Sequence, residues 1–168
     1  MRPLTQAAFL LAGTLAVAGI GVAAFVGSGV YNIGADDHHT AIVLALIEQL
    51  RDRSIAVRAV NVEVPDLAAP GRVAAGAHAY AALCSSCHLA PGVAKSPLRP
   101  GLYPHPPNLA QQAPPDTRRA FWIIKHGIKM SAMPAWGRTL EDGEIWDLVA
   151  FVREMPSMTP ETYQRLSQ

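Results

Sequence analysis

Cysteine is nearly absent: the 168 residues hold only Cys84 and Cys87. A disulfide framework is thereby excluded, because a bridge across two intervening residues would constrain the unfolded chain little. A structural zinc site needs further Cys or His ligands at suitable spacing, and no second pair follows. Charge is scarce and balanced, 14 Lys and Arg against 13 Asp and Glu, which excludes the dense basic stripe of a nucleic-acid binder. No convincing alternating strand and no internal repeat are present. The βαβ setting that a thioredoxin-like Cys-x-x-Cys requires is therefore missing too.

Charge is missing altogether from Ala7 to Ile33. Those 27 residues exceed the roughly 20 that a helix needs to cross a bilayer. Arg2 precedes the run, and Asp36, Asp37, His38 and His39 follow it. One positive residue on the short side favours an N-inside orientation, with the rest of the chain outside the cytoplasm. A cleaved signal peptide competes, since Ala16-Val17-Ala18 offers a small-residue site. The apolar run continues through Ile20, Val22, Phe25, Val26 and Val30, which favours an uncleaved anchor.

Beyond the anchor, Ile42, Val43, Leu46, Ile47 and Leu50 recur at helical spacing, predicting a helix over Thr40–Val60. Its apolar face would lie on the membrane, on a partner subunit or on its own domain. Pro65, Pro70 and Gly71 mark a linker. An alanine-rich helix follows from Arg72 to Leu83. The stretch from Pro91 to Pro115 is too rich in proline for regular structure. A third helix is expected over Arg118–His126, capped by Thr117 and stopped by Gly127. The last begins near Thr139, with Thr139 and Asp142 as a capping pair, and ends before Pro156. The expected divisions are 1–35, 36–70 and 71–168.

The chemistry concentrates in Cys84-Ser85-Ser86-Cys87-His88, the C-x-x-C-H pattern of c-type haem attachment. Two thiols on one helical turn reach the two haem vinyl groups, and the adjacent His88 projects toward the iron. A second axial ligand would be methionine, from Met130, Met133, Met155 or Met158. Met133-Pro134-Ala135-Trp136-Gly137 forms a turn able to present a sulfur, and Met130 is the runner-up. Met155-Pro156 reads as a helix stop. His105 and His126 are the nitrogen alternatives.

The order helix, C-x-x-C-H, proline loop ending Pro107-Asn108-Leu109, helix, Met-Pro-Ala-Trp-Gly turn, terminal helix resembles class I cytochromes c. It is similar in particular to their membrane-anchored, single-haem bacterial branch. The resemblance covers roughly Gly71 to Pro156. It implies an all-α fold wrapped around one covalently attached haem c, preceded by the transmembrane and amphipathic helices. It implies Met133 as the distal ligand, and the carbonyl of Pro107 as acceptor for Nδ1 of His88. It also implies a crossing of the first and last domain helices, with Gly76 and Tyr80 against Trp146 and Val149. Trp136 and Arg138 are candidate partners of the haem propionates.

The function expected is one-electron transfer in a respiratory or dehydrogenase chain, not enzymic catalysis. The expected place is the outer face of a bacterial cytoplasmic membrane, reached by a single span. Partners would be redox proteins or a larger oxidoreductase complex that holds the chain as its cytochrome subunit. Lys95, Arg99, Lys125, Lys129 and Arg138 flank the ligand segments as a basic ring for docking. A haem sensor or enzyme would require that neither Met133 nor Met130 binds iron.

Overall fold

The computed structural model describes residues 3–168, and every regular element among them is helical. The contacts divide the chain into two compact units, Met1–Asp37 and His38–Gln168.

The first unit is built on α1 (Pro3–Ser28), a 26-residue helix without a buried residue. Two of its hydroxyls serve its own backbone: Thr14 donates to the Leu10 carbonyl at 3.0 Å and Ser28 to that of Phe25 at 2.7 Å. Both bonds lower the cost of a hydroxyl on an apolar helix surface. Gly29, at φ 62°, ends the helix four residues before the uncharged run does. The remainder of that run enters a turn braced by Asn32, whose amide donates to Asp37 at 3.0 Å.

In the second unit, α2 (Ala41–Ala59) buries only Ile55 and Ala59. It is followed by α3 (Arg72–Leu83), the single turn α4 (Ser85–His88), α5 (Thr117–His126), α6 (Asp142–Glu154) and α7 (Pro160–Leu166). Between α4 and α5 the proline-rich stretch forms one short 3-10 turn, Arg99–Gly101, and is otherwise irregular.

Helix α6 is the hub because it is apolar nearly all round. Ile145, Trp146, Leu148, Val149, Ala150, Phe151 and Val152 are all buried. Successive residues differ by about 100° around a helix, so these split between two sides. One cluster joins Leu148, Phe151, Val152 and Met155 to Ala77 and Tyr80 of α3 and Tyr163 of α7. The other joins Ile145, Trp146 and Val149 to Ala120 and Phe121 of α5, with Phe121 and Trp146 stacked at 4.1 Å.

The expected crossing of α3 with α6 is present, with different partners. Gly76 lies against the backbone of Asp147 and the Cβ of Phe151, and Tyr80 packs on Phe151 at 5.1 Å between ring centroids. Trp146 and Val149 face α5 instead. Asp147, the residue of α6 between the two apolar sides, meets Arg72 in an ion pair of 2.6 Å.

Helix starts also differ from expectation. The cap of α5 is Asp116, whose carboxylate accepts from the amides of Arg118 and Arg119, and Thr117 is already helical. The cap of α6 is Glu141, paired with Glu144 in a reciprocal capping box. Thr139 is used earlier, donating to the carbonyl of Trp136 at 3.2 Å in the turn Trp136–Arg138. Helix α7 was not expected. Its signals are modest: Thr159 as cap, Pro160 in the first turn, and Tyr163 as the buried anchor.

Candidate functional site

The site begins where α3 gives way to α4. Cys84 leaves the helix at φ −122° with its amide still bonded to the Tyr80 carbonyl at 2.9 Å. The chain then makes one turn, in which the amides of Cys87 and His88 both bond to the Cys84 carbonyl, at 3.1 and 2.9 Å. Leu89, at φ 62°, stops the turn. Its carbonyl accepts the buried Tyr80 hydroxyl at 2.7 Å, which ties the end of the motif to the α3–α6 core. Both cysteines are free thiols, each partly buried. Burial, with a smaller contribution from Cys87, pushes the Cys84 thiol up to about 12, so it stays protonated at neutral pH.

Across from this turn lies the end of the proline loop. Nδ1 of His88 is 3.0 Å from the carbonyl oxygen of Pro107. A carbonyl can only accept, so Nδ1 carries the proton and Nε2 keeps its lone pair. The Leu109 amide returns a bond to the His88 carbonyl at 3.2 Å. Burial, aided by the charge of Arg99 and opposed by the Pro107 bond, holds the imidazole pKa below its usual value. The ring therefore stays neutral, the form in which imidazole binds metal.

Arg99 was expected on an outward docking ring, yet it turns inward. Its Nη2 donates to the Pro106 carbonyl at 2.6 Å, and its Nε is buried with no hydrogen-bond partner. Lys125, from the same expected ring, is paired with Asp142 at 2.6 Å. Nothing in the residue order distinguishes Arg99 from Lys95. Only the 3-10 turn that starts at Arg99 carries it inward.

Met133 sits on a separate framework after α5. Gly127, at φ 64°, packs so tightly that an added Cβ would lie 2.7 Å from the Met133 carbonyl oxygen and 2.8 Å from the Ala135 nitrogen. Both backbone polar atoms of Met133 are held. Its carbonyl accepts from the Ile128 amide at 3.1 Å, and its amide donates to the Ser131 hydroxyl at 3.2 Å. Its side chain is partly buried, whereas Met130 is 99% exposed. Met155 is sealed in the core and Met158 packs against it, so neither is free to move toward a ligand. His105 and His126 are exposed, with His126 leaning on Trp122 at 4.7 Å. Trp136 is partly buried and Arg138 exposed, both on the turn that follows the methionine loop.

The fold is that of the class I c-type cytochromes, whose function is electron transfer via haem. More narrowly, residues 71–152 match the family model described as Cytochrome C oxidase, cbb3-type, subunit III. That span runs from just before α3 into α6 and includes both the C-x-x-C-H turn and the methionine loop. No curated protein and no solved structure matches the chain.

The residues in place fit a haem. Two unbridged thiols lie on one turn, and the adjacent imidazole has one nitrogen engaged and the other open. The buried, unpartnered Arg99 Nε is a donor still lacking an anion, as a haem carboxylate would be.

Proposed function

We propose that the chain is a membrane-anchored electron carrier with one covalently held haem c, attached through Cys84 and Cys87. His88 would be the proximal ligand and Met133 the distal one. The observation that carries this reading is the 3.0 Å bond from His88 Nδ1 to Pro107, on the turn that also bears both free thiols. The single C-x-x-C-H motif argues for one haem.

The haem supplies a one-electron Fe(II)/Fe(III) couple. The Pro107 carbonyl fixes the His88 ring plane and raises the basicity of Nε2. Tyr80 and Leu89, both buried, close the region behind the motif to water. Arg99 offers its free donor and its charge to a carboxylate of the macrocycle. That charge opposes the more positive, oxidised state. The firmly braced Met133 loop would supply a soft ligand without reorganising, and its partial burial, against the exposure of Met130, supports Met133 as the distal ligand. Trp136 and Arg138 flank that loop as the outer surroundings of the cofactor.

The proposed organisation is an anchor over residues 1–35, a joining segment over 36–70 and the cytochrome domain over 71–168. Helix α1 has the length and apolarity to span a bilayer. A single span with the haem unit on the outer side of the cytoplasmic membrane accords with Arg2 on the short side. The carrier would serve a respiratory or dehydrogenase chain through redox protein partners. A second reading, a cytochrome subunit firmly bound in a larger oxidoreductase, is favoured by the name of the matching family model.

The test is an absorption spectrum of the purified protein, oxidised and reduced, beside Met133→Ala and Met130→Ala. A c-type reduced spectrum with a far-red methionine–iron band lost only in Met133→Ala is the expected outcome. A band that survives there moves the ligand to Met130 or a histidine. Absence of covalent haem in cells competent to attach it overturns the reading. Co-purification with larger subunits in mild detergent would select the subunit reading over the free carrier.

A further inference from the structure

Helix α2 presents an apolar seam that the haem unit does not cover. Ile42, Leu46, Leu50 and Val57 are 73%, 62%, 73% and 59% exposed. At about 100° per residue they fall in one arc of roughly 80°. The arc contains one charge, Arg53, and no acid; Glu48 and Asp52 lie on other sides of the helix. The helix is not loosely attached. Ile55 and Ala59 are buried against the domain, and Arg119 donates to the Asp52 carbonyl at 2.8 Å. The direction of the seam is therefore set by the haem unit itself.

The chain also limits what can meet the seam. His38 and His39 pack on Tyr103 of the proline loop, with ring centroids 4.7 and 5.4 Å apart, so the haem unit begins at His38. Only Gly29 to Asp37 remain between it and the end of α1 at Ser28, nine residues by number. Fully extended, nine residues span about 30 Å. The Asn32–Asp37 bond folds the linker and shortens that reach.

We propose that the α2 seam lies on the phospholipid surface beside the anchor, with Ile42, Leu46, Leu50 and Val57 in the headgroup–acyl boundary and Arg53 reaching lipid phosphate. A short tether, an acid-free apolar arc and one flexible cation match an interfacial helix. The consequence is functional: with its reverse face locked to the domain, α2 holds the haem at one height and orientation above the bilayer. Electron exchange is thereby biased toward partners embedded in the same membrane. The inference rests on the reading of α1 as an anchor.

The experiment uses the full-length, haem-loaded protein in vesicles of phosphatidylethanolamine and phosphatidylglycerol. With Cys84 and Cys87 consumed by haem, one added cysteine carries a spin label, placed by Leu46→Cys, Glu48→Cys or Ala16→Cys in separate variants. Haem absorbance confirms that each variant is folded. Label 46 is expected to gain oxygen accessibility and lose access to a water-soluble nickel chelate severalfold relative to label 48. Equal nickel access at 46 and 48, with label 16 shielded in the bilayer, would overturn the inference while leaving the anchor intact. Label 16 open to nickel would overturn the anchor reading and this inference together. Loss of both oxygen and nickel access at 46 would mean that protein, not lipid, covers the seam, and would equally overturn it.

Discussion

Gly76 of α3 lies directly against the carbonyl oxygen of Asp147 in α6, leaving no room for even a methyl group between the two backbones. At this point α3 and α6 meet backbone to backbone. In an isolated helix, alanine would be favoured over glycine by about 0.5–1 kcal/mol. Here the sign reverses. Gly76→Ala is expected to lower stability by about 1–3 kcal/mol through forced separation of α3 and α6. The denaturant midpoint of the purified protein measures it, and an unchanged or higher midpoint would mean that the helices adjust freely.

Asp147 also holds Arg72, with both side chains about one-quarter exposed at 24%. The Nε of Arg72 is already buried without a partner, so loss of the carboxylate leaves the guanidinium less satisfied still. Asp147→Ala should therefore cost about 1–2 kcal/mol, more than a fully exposed pair would. Comparing chemical denaturation of the variant with that of Arg72→Met and of the double variant isolates the coupling between the two. Purely additive losses would show that the ion pair contributes nothing.

Gly127 supports the Met133 loop at a backbone angle that L side chains rarely adopt, and it packs against three atoms of Met133–Ala135. Gly127→Ala should destabilise the protein by about 1–3 kcal/mol from the positive-φ backbone conformation alone. The displaced loop should also weaken the far-red methionine–iron band, while Met130→Ala leaves both stability and band within error. Thermal unfolding and absorbance at matched concentration separate the two effects. A full-strength band in Gly127→Ala would show that the loop is not positioned by this contact.

Arg99→Gln removes a cation from beside His88 and should lower the reduction potential, because the oxidised state loses an unfavourable neighbour. If the change is worth about 1 kcal/mol, the shift is roughly 40 mV for one electron. Redox titration followed by the reduced absorbance band reads it directly. Lys95→Gln, an exposed neighbour in sequence, serves as the control and should move the potential little. Equal shifts in the two variants would show that inward placement of Arg99 carries no special effect.

Much of the architecture was legible because it depends on local rules. The bounds of α3 follow from an alanine-rich segment between a glycine and the Cys84 motif. The stop of α5 follows from Gly127, and the irregular course from Pro91 to Pro115, broken only by the 3-10 turn Arg99–Gly101, follows from missing amides. Capping was less legible. Thr117 and Asp116 are adjacent and both able to cap, and the choice depended on which carboxylate or hydroxyl faced the free amides. Helix α7 is hard to read from its order because seven residues carry little periodicity, and its reason to form is the burial of Tyr163 against Phe151.

The candidate site divides in the same way. The spacing of Cys84, Cys87 and His88 on one turn is a property of the chain and needs no distant contact. The resemblance to class I cytochromes c anticipated the Pro107 bond across nineteen positions, but its length and the tautomer it imposes on His88 belong to the folded loop. The proposed preference for Met133 over Met130, three residues away and chemically alike, rests on burial. So does the inward turn of Arg99. Local order determined the longer helices, the C-x-x-C-H motif and the apolar N-terminal run, since those depend on neighbours within a few residues. Which side chains are dry, which helix faces meet and which donors lack partners were decided only when remote segments excluded water from one another.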